Sequence, residues 1–359
     1  MGTSETRAWG FLLGALFLAG CGAETSPLLC DASAAAGVVV AATDGLVPTG
    51  YSLGYGPHAV AGCRLVYMHP DGSLRARDLA WGAEETLAEA AEAPRRPTAF
   101  GEVTAWEATV AGRRVVRVHA EGTARTVTGD FDHAGEPRAA EDAVVFTGWR
   151  SAEETGDTDV FLYELERASA VPVASGPGQQ RFADVSGSHV AFSDFAEDDD
   201  GRFDEDAEDA SDVVVVERGT GRTTRRERPG KQAFPLLGAE GHVVYLEWGP
   251  THPEPKFSAY TLIVGDVQGD GESDDEAVAI ETAMPYVRPT ARGPWIEWVQ
   301  WRSGEFATLF RQPADLGAEA TTVTGMRGNE LYAPAAGEGI SVVAARTADG
   351  GMVIRAAER

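Results

Sequence analysis

The chain is poor in the residues by which most enzymes are recognised. Its 359 residues include only three cysteines and seven histidines. It has no G-x-S-x-G elbow, no H-E-x-x-H pair and no Walker A loop. The segment 219–224, GTGRTT, lacks the lysine and spacing of a phosphate loop and reads as a hairpin turn. Positive charge is also scarce, with 30 Lys and Arg against 56 Asp and Glu and a net charge of −26. Nucleic acid and anionic lipid surfaces are therefore poor partners, since both need neutralising cations. No long amphipathic helical pattern occurs. The best candidate, 83–93, reads equally as a short helix or an outer strand. No catalytic residue is nominated, and no acid pair can be singled out among so many carboxylates without geometry.

The one long apolar run is at the start. Residues 8–20, AWGFLLGALFLAG, are uncharged and too short to span a bilayer comfortably. They end in Leu18-Ala19-Gly20-Cys21, which resembles the lipobox of bacterial lipoprotein signal peptides. The resemblance implies cleavage after residue 20, a lipid on Cys21 and a tether over 21–36. The alternative is a plain secretory signal or an uncleaved anchor. Gly22, where inner-membrane lipoproteins usually carry Asp, implies the outer membrane, facing the periplasm or the cell surface. Outside the cytoplasm the two remaining cysteines, Cys30 and Cys63, are expected to pair, the alternative being two free thiols.

The body from 37 to 359 is repetitive. A phrase opening on Pro, passing a Gly or polar turn and ending in an apolar strand recurs from 57, 97, 137, 183, 235, 289 and 334. Intervals of 40 to 54 residues suit one four-stranded propeller blade. In four units an aromatic is followed three residues later by another: Phe146 and Trp149, Phe192 and Phe195, Tyr245 and Trp248, Trp298 and Trp301. Residues three apart on a strand face oppositely, so both faces carry apolar bulk, as expected of a sheet packed between two sheets. The Trp cluster at 295–301 follows this pattern, which favours packing over a sugar platform. The last unit, 334–359, has room for about two strands, and the unassigned segment 37–55 is expected to complete it. The expectation is an all-β single propeller, most simply of seven four-stranded blades closed by pairing of the chain ends; one misplaced boundary would make six or eight.

The pattern P-x-x-x-G-x-x-V-x-[FYW], then D-V-x-L-Y, then a turn, resembles the TolB-like propeller repeats of bacterial periplasmic proteins. The best copies are 137–165 and 183–216. The resemblance implies the fold and a place among envelope interaction proteins. It does not carry TolB's partners, because no separate N-terminal domain like TolB's is evident.

Two acidic loops stand out. Asp266, Gln268, Asp270, the Glu272 carbonyl and Asp274 place oxygen donors at alternating positions around Gly271, as a hard cation requires. The spacing resembles the calcium hairpins of integrin-type propellers, with Gln268 lowering the ligand charge. A second, incomplete copy would use Asp198, Asp200, the Arg202 carbonyl and Asp204. Structural calcium is the expectation at 266–274, and at the second loop it is the alternative to a solvated acidic hairpin. His189 and His242 hold equivalent places in the repeat, which points to a shared structural need.

For function the sequence favours a monomeric, non-catalytic, membrane-tethered scaffold that binds an envelope protein on its loop face. The alternative is a glycosidase- or lactonase-type propeller enzyme, or a carbohydrate-binding protein, working at the axial funnel.

Overall fold

The computed structural model describes residues 30–41, 55–150, 156–198, 211–228, 230–238, 241–248, 260–269, 275–280, 288–292, 294–300, 307–328, 331–337 and 339–358. They form seven four-stranded antiparallel sheets, consecutive along the chain. In each blade we name the strands inner, second, third and outer. Blade one is His58–Ala61, Arg64–Met68, Leu74–Asp78 and Glu84–Ala88; blade two is Arg95–Phe100, Val103–Val110, Arg113–Ala120 and Thr123–Thr126. Blade three is His133–Ala139, Ala143–Trp149, Asp159–Glu164 and Ser169–Ala174; blade four is Gln180–Val185, His189–Asp194, Asp212–Glu217 and Thr223–Arg226. Blade five is Lys231–Leu237, His242–Trp248, Tyr260–Asp266 and Glu276–Ile280; blade six is Thr290–Arg292, Trp295–Gln300, Ala307–Pro313 and Thr321–Gly328. Blade seven is Leu331–Gly337, Ile340–Arg346 and Met352–Glu358, with the N-terminal strand Val39–Val40 as its outer strand.

This pairing closes the ring: Val39 and Val40 lie opposite Val353 and Met352. A two-residue strand is a weak clasp, and the neighbouring backbone strengthens it. Gly37 N–H donates to the Ile354 carbonyl at 2.9 Å, and Ala41 N–H to the Met68 carbonyl at 2.8 Å. The last unit thus holds three strands of its own, not two, because its inner strand begins at Leu331, before the proline that marks the repeat.

The same correction applies around the ring. Prolines 97, 137, 235 and 334 sit inside inner strands. An inner strand is a sheet edge facing the axis, so proline removes no ladder hydrogen bond there. In blades two, three, five and seven the residue before the proline takes a left-handed conformation (Arg96 φ 51°, Glu136 φ 56°, Phe234 φ 60°, Ala333 φ 47°), and Phe182 before Ala183 does so in blade four (φ 56°). Each sits in a β-bulge, the pairing register shifting between residues 95 and 98, 135 and 138, 181 and 184, 233 and 236, and 332 and 335. A bulge re-aims side chains and frees backbone donors. Neighbouring blades take up some of those donors: Glu136 N–H donates to Glu107 at 2.8 Å and Phe234 N–H to the Ser193 hydroxyl at 3.1 Å.

Apolar clusters fill the space between adjacent blades. Trp106 and Met68 share one, Phe146 and Val118 another, and Trp298 and Leu246 a third. Trp298 stacks on Phe310 with centroids 5.9 Å apart, so this tryptophan packs in the core. The segment 83–93 supplies both a strand, Glu84–Ala88, and a 3-10 turn, Ala90–Glu92.

Cys30 and Cys63 form a disulfide, with Cα atoms 5.0 Å apart. It ties the N-terminal segment to the first turn of blade one. From Cys30 onward the expected tether is packed: the short helix Ala32–Ala35 lies with Ile354 and Met352 in the cluster between blades seven and one. No helix among the described residues is long and apolar enough to cross a membrane.

Candidate functional site

Five inner strands end around one hollow on the axis. A funnel of about 700 Å³ is lined by Phe100, Ala140, Glu141, Val185 to His189, Leu237, Gly238, Gly241 and Ala291, with Asp266 to Gln268 on one side. The walls are turn backbone with the polar side chains of Ser186, Ser188, His189 and Gln268 and two carboxylates, Glu141 and Asp266; Val185 and Leu237 turn into the blade cores. Phe100 at its lip is 37% exposed, unusual for a large apolar residue here.

Beneath the funnel the axis is polar. Tyr55, just before blade one, is buried, and three guanidinium carbons surround its ring at 5.2 Å (Arg96), 4.9 Å (Arg138) and 5.8 Å (Arg288) from its centroid. Cations are drawn to the face of an aromatic ring, more strongly where water is excluded. Burial, with Glu136 nearby, pushes the Tyr55 phenol up, so it stays neutral. Arg288 is 3% exposed; its Nη2 donates to the carbonyls of Phe182 (3.2 Å) and Pro235. Burial and the facing Arg138 push its pKa down to about 10.

The carboxylates of this layer are largely committed. Glu107 is fully buried and accepts from Arg95 Nε at 2.6 Å and Arg96 Nη1 at 2.9 Å. Burial would raise its pKa, but the two arginines outweigh it and the group is held below the usual range. Glu136 accepts from Arg181 at 2.6 Å and from the Thr147 hydroxyl at 3.0 Å. Burial opposes its charge, yet Arg181 and Arg96 bring its pKa down to about 2. This chain of pairs crosses blades two, three and four. Asp184 Oδ2 accepts from Leu237 N–H at 2.8 Å, while among the described residues its Oδ1 has no hydrogen-bond partner.

His58, in the inner strand of blade one, is buried, and among the described residues neither ring nitrogen has a hydrogen-bond partner. Burial alone drives its pKa to about 4. His189 lines the funnel; its Nδ1 meets the Ser188 hydroxyl at 2.8 Å and its Nε2 the Gln268 amide nitrogen at 3.2 Å. Burial lowers its pKa. Neither contact is to a carboxylate, so this serine–histidine pair lacks the third group that would orient a base. The repeat-equivalent His242 lies opposite Asp266 across the strands of blade five.

Of the proposed calcium ligands, Asp266 and Gln268 are described. Asp266 accepts from the Gln268 N–H at 2.8 Å, and the Gln268 side-chain oxygen accepts from Arg222 at 2.5 Å. The next acid, Asp275, forms a buried ion pair with Arg226 and accepts from the Tyr245 hydroxyl at 2.6 Å. Asp270, Glu272 and Asp274 lie outside the described residues, as do Asp200, Arg202 and Asp204; Asp198 ends a turn, its N–H donating to the Phe195 carbonyl at 3.2 Å. Cys21 and the lipobox also lie outside them.

Sequence reasoning missed Tyr55, Arg138 and Arg288. A signal was present: Arg96 and Arg288 directly precede repeat prolines, Arg138 directly follows one, and Tyr55 stands two before Pro57.

Comparison with known proteins matches the architecture. The propeller domain of the trilobed protease from Pyrococcus furiosus superposes with a TM-score of 0.60 at 10% identity, over 83% of this chain and 91% of that one. The tricorn protease gives a TM-score of 0.54 at 10% identity, over 83% of this chain and 33% of that one. A TolB from Acinetobacter baumannii is similar at 15% identity with a TM-score of 0.48, over 74% of this chain and 63% of that one. The chain thus spans less than two thirds of that TolB and a third of the tricorn protease. No protein-family model and no curated protein matches. The protein is a seven-bladed β-propeller, closed on its N-terminal strand.

Proposed function

We propose that the chain is a non-catalytic binding module of the bacterial cell envelope, tethered through a lipid on Cys21, which receives a partner protein in the axial funnel. One observation carries the binding part of this reading. The funnel is walled by turn backbone and polar side chains from several blades, with the apolar ring of Phe100 exposed at its lip. Such a wall suits a docking peptide. The chemistry that hydrolysis would ask for is weakly supported there. Its histidine is oriented by no carboxylate, and the Asp266 carboxylate caps its own turn. The envelope setting is supported by the lipobox-like start and by the resemblance of the repeats to TolB.

The test is site-specific photo-crosslinking in intact cells. A crosslinking residue at Phe100 or Ser186 should give one discrete protein adduct. The same residue at Val171, on an outer strand, should give none. Equal adducts from all three positions, or none from the funnel, would dismiss the reading. Turnover of glycosides or lactones that is lost in Glu141→Gln would replace it with a hydrolase.

A further inference from the structure

The funnel stands on a layer with too few anions. Five guanidiniums (Arg95, Arg96, Arg138, Arg181 and Arg288) share the axial layer with three carboxylates, Glu107, Glu136 and Asp184. Arg95, Arg96 and Arg181 are paired within it. Among the described residues Arg138 is paired with no carboxylate, and its buried Nε has no hydrogen-bond partner. Arg288 donates to carbonyl oxygens with Nη2 and interacts with the Tyr55 side chain and with the charge of Asp184, and among the described residues its buried Nε has no hydrogen-bond partner.

Register places Arg138 under the funnel. Beyond the bulge the inner strand of blade three pairs regularly, Arg138 opposite Val145 and Ala139 opposite Val144. Residues two apart share a face, so Arg138 lies about 7 Å below Ala140, which lines the funnel. Unlike Arg288, Arg138 keeps part of its surface exposed. A cation with unmet donors, partly open and pressed by a second buried cation, favours an incoming anion.

We propose that Arg138 anchors the C-terminal carboxylate of an extended peptide that enters the funnel end-on. The proposal deepens the binding reading above and rests on it. The shape selects a chain end: the funnel is walled by the turns of five blades, and the cation lies on the axis beneath them. The residues preceding the carboxylate would meet the ring of Phe100 and the turn backbone at Ser186 and Gly238. Arg288, fully buried, acts from below through its charge.

The probe is an array of hexapeptides in two series, one with free C-terminal carboxylates and one amidated, each with and without an internal Asp or Glu. The full chain in detergent is bound to the array, and the tightest sequence is then titrated in solution. The free-carboxylate form should bind about tenfold more tightly or better, the scale of a charged hydrogen bond. Arg138→Gln should remove that preference, Arg138→Lys should keep part of it, and Arg113→Gln, at a distant exposed pair with Asp132, should not change it. Equal binding of amidated peptides, a preference for internal acids alone, a preference surviving in Arg138→Gln, or retention of no peptide would each overturn the proposal. A purely structural Arg138 is exposed by melting without ligand. Loss of a cation facing Arg288 should leave the melting temperature unchanged or higher, and a fall of several degrees would count against the anchor. If funnel crosslinks persist undiminished in Arg138→Gln, the binding module stands and the carboxylate anchor falls. If wild type gives no funnel crosslink, both fall.

Discussion

On the turn-bearing face of the ring, carboxylates crowd the outer hollows. The groove of about 650 Å³ between blades two and three gathers Glu102, Glu121, Glu141, Asp142, Glu164 and Glu166 against Arg125 and Arg167. On the axis the balance reverses, and five arginines share a layer with three acids. The net charge of −26 therefore describes the solvated periphery and says nothing of the site. Water makes peripheral charges inexpensive, and neighbouring cations can be spared. Inside, each charge needs a named partner. If this contrast is right, the same change of one charge should matter greatly at the axis and little at the rim.

The largest effect is expected at Glu107. Glu107→Ala leaves the Glu136 N–H without its acceptor in a buried place and takes the close partner from Arg95 and from Arg96, which keeps only Glu136 at 3.8 Å. Breaking one side of a buried pair costs about 3–5 kcal/mol. Glu164→Ala removes the partner of exposed Arg167 and should cost under about 1 kcal/mol. Denaturant midpoints of the two variants check the comparison, and equal losses would break it.

Next is the clasp. The disulfide spans 33 residues and closes the N-terminal segment onto blade one. By loop-closure entropy its removal should cost about 3–4 kcal/mol. Cys63→Ser should lower the melting temperature, and reductant should do the same to wild type but not to the variant.

Acid should act on the axis in two stages. The folded pKa of His58 is held at about 4, below the 6.5 of a free histidine. Between those values the unfolded chain binds a proton that the folded chain refuses, so stability falls as pH drops from about 6.5 to 4. The shift corresponds to about 3 kcal/mol. Glu136, held at about 2, adds stability that is complete above the carboxylate range and is lost as pH falls from about 4.5 toward 2. In His58→Leu the upper stage should vanish and the lower remain. Stability measured by denaturant at pH 7, 5 and 3 separates them, and an unchanged upper stage in His58→Leu would refute the assignment.

The same contrast explains what the sequence could disclose. Inter-blade strands such as Ala143–Trp149 repeat their apolar alternation because every blade needs it, and that periodicity revealed the ring. Inner strands hid because their prolines read as turns. Proline fits there only because these strands are edges, a fact of the closed ring and not of the local sequence. The axial charges hid more deeply. Arg138 and Glu136 flank one proline like any surface residues, and only closure brings Arg288, 150 positions after Arg138, against the same Tyr55 ring. A site assembled from one residue per blade leaves no local motif.

The smallest effect sharpens the peripheral half of the contrast. The loop 266–274 has the alternating oxygen donors of a calcium hairpin, and Gln268, at its third position, holds Arg222 with its side-chain oxygen. A cation would have to draw that oxygen away, which weakens binding. Millimolar calcium should raise the melting temperature by about 2 °C, the size of a roughly 1 kcal/mol linkage in a chain of this length. Asp270→Ala should abolish the rise, and Arg222→Gln, which frees Gln268, should enlarge it. Identical melting curves in EDTA and calcium would mean that the rim carries its carboxylates in water alone, without a bound counter-ion.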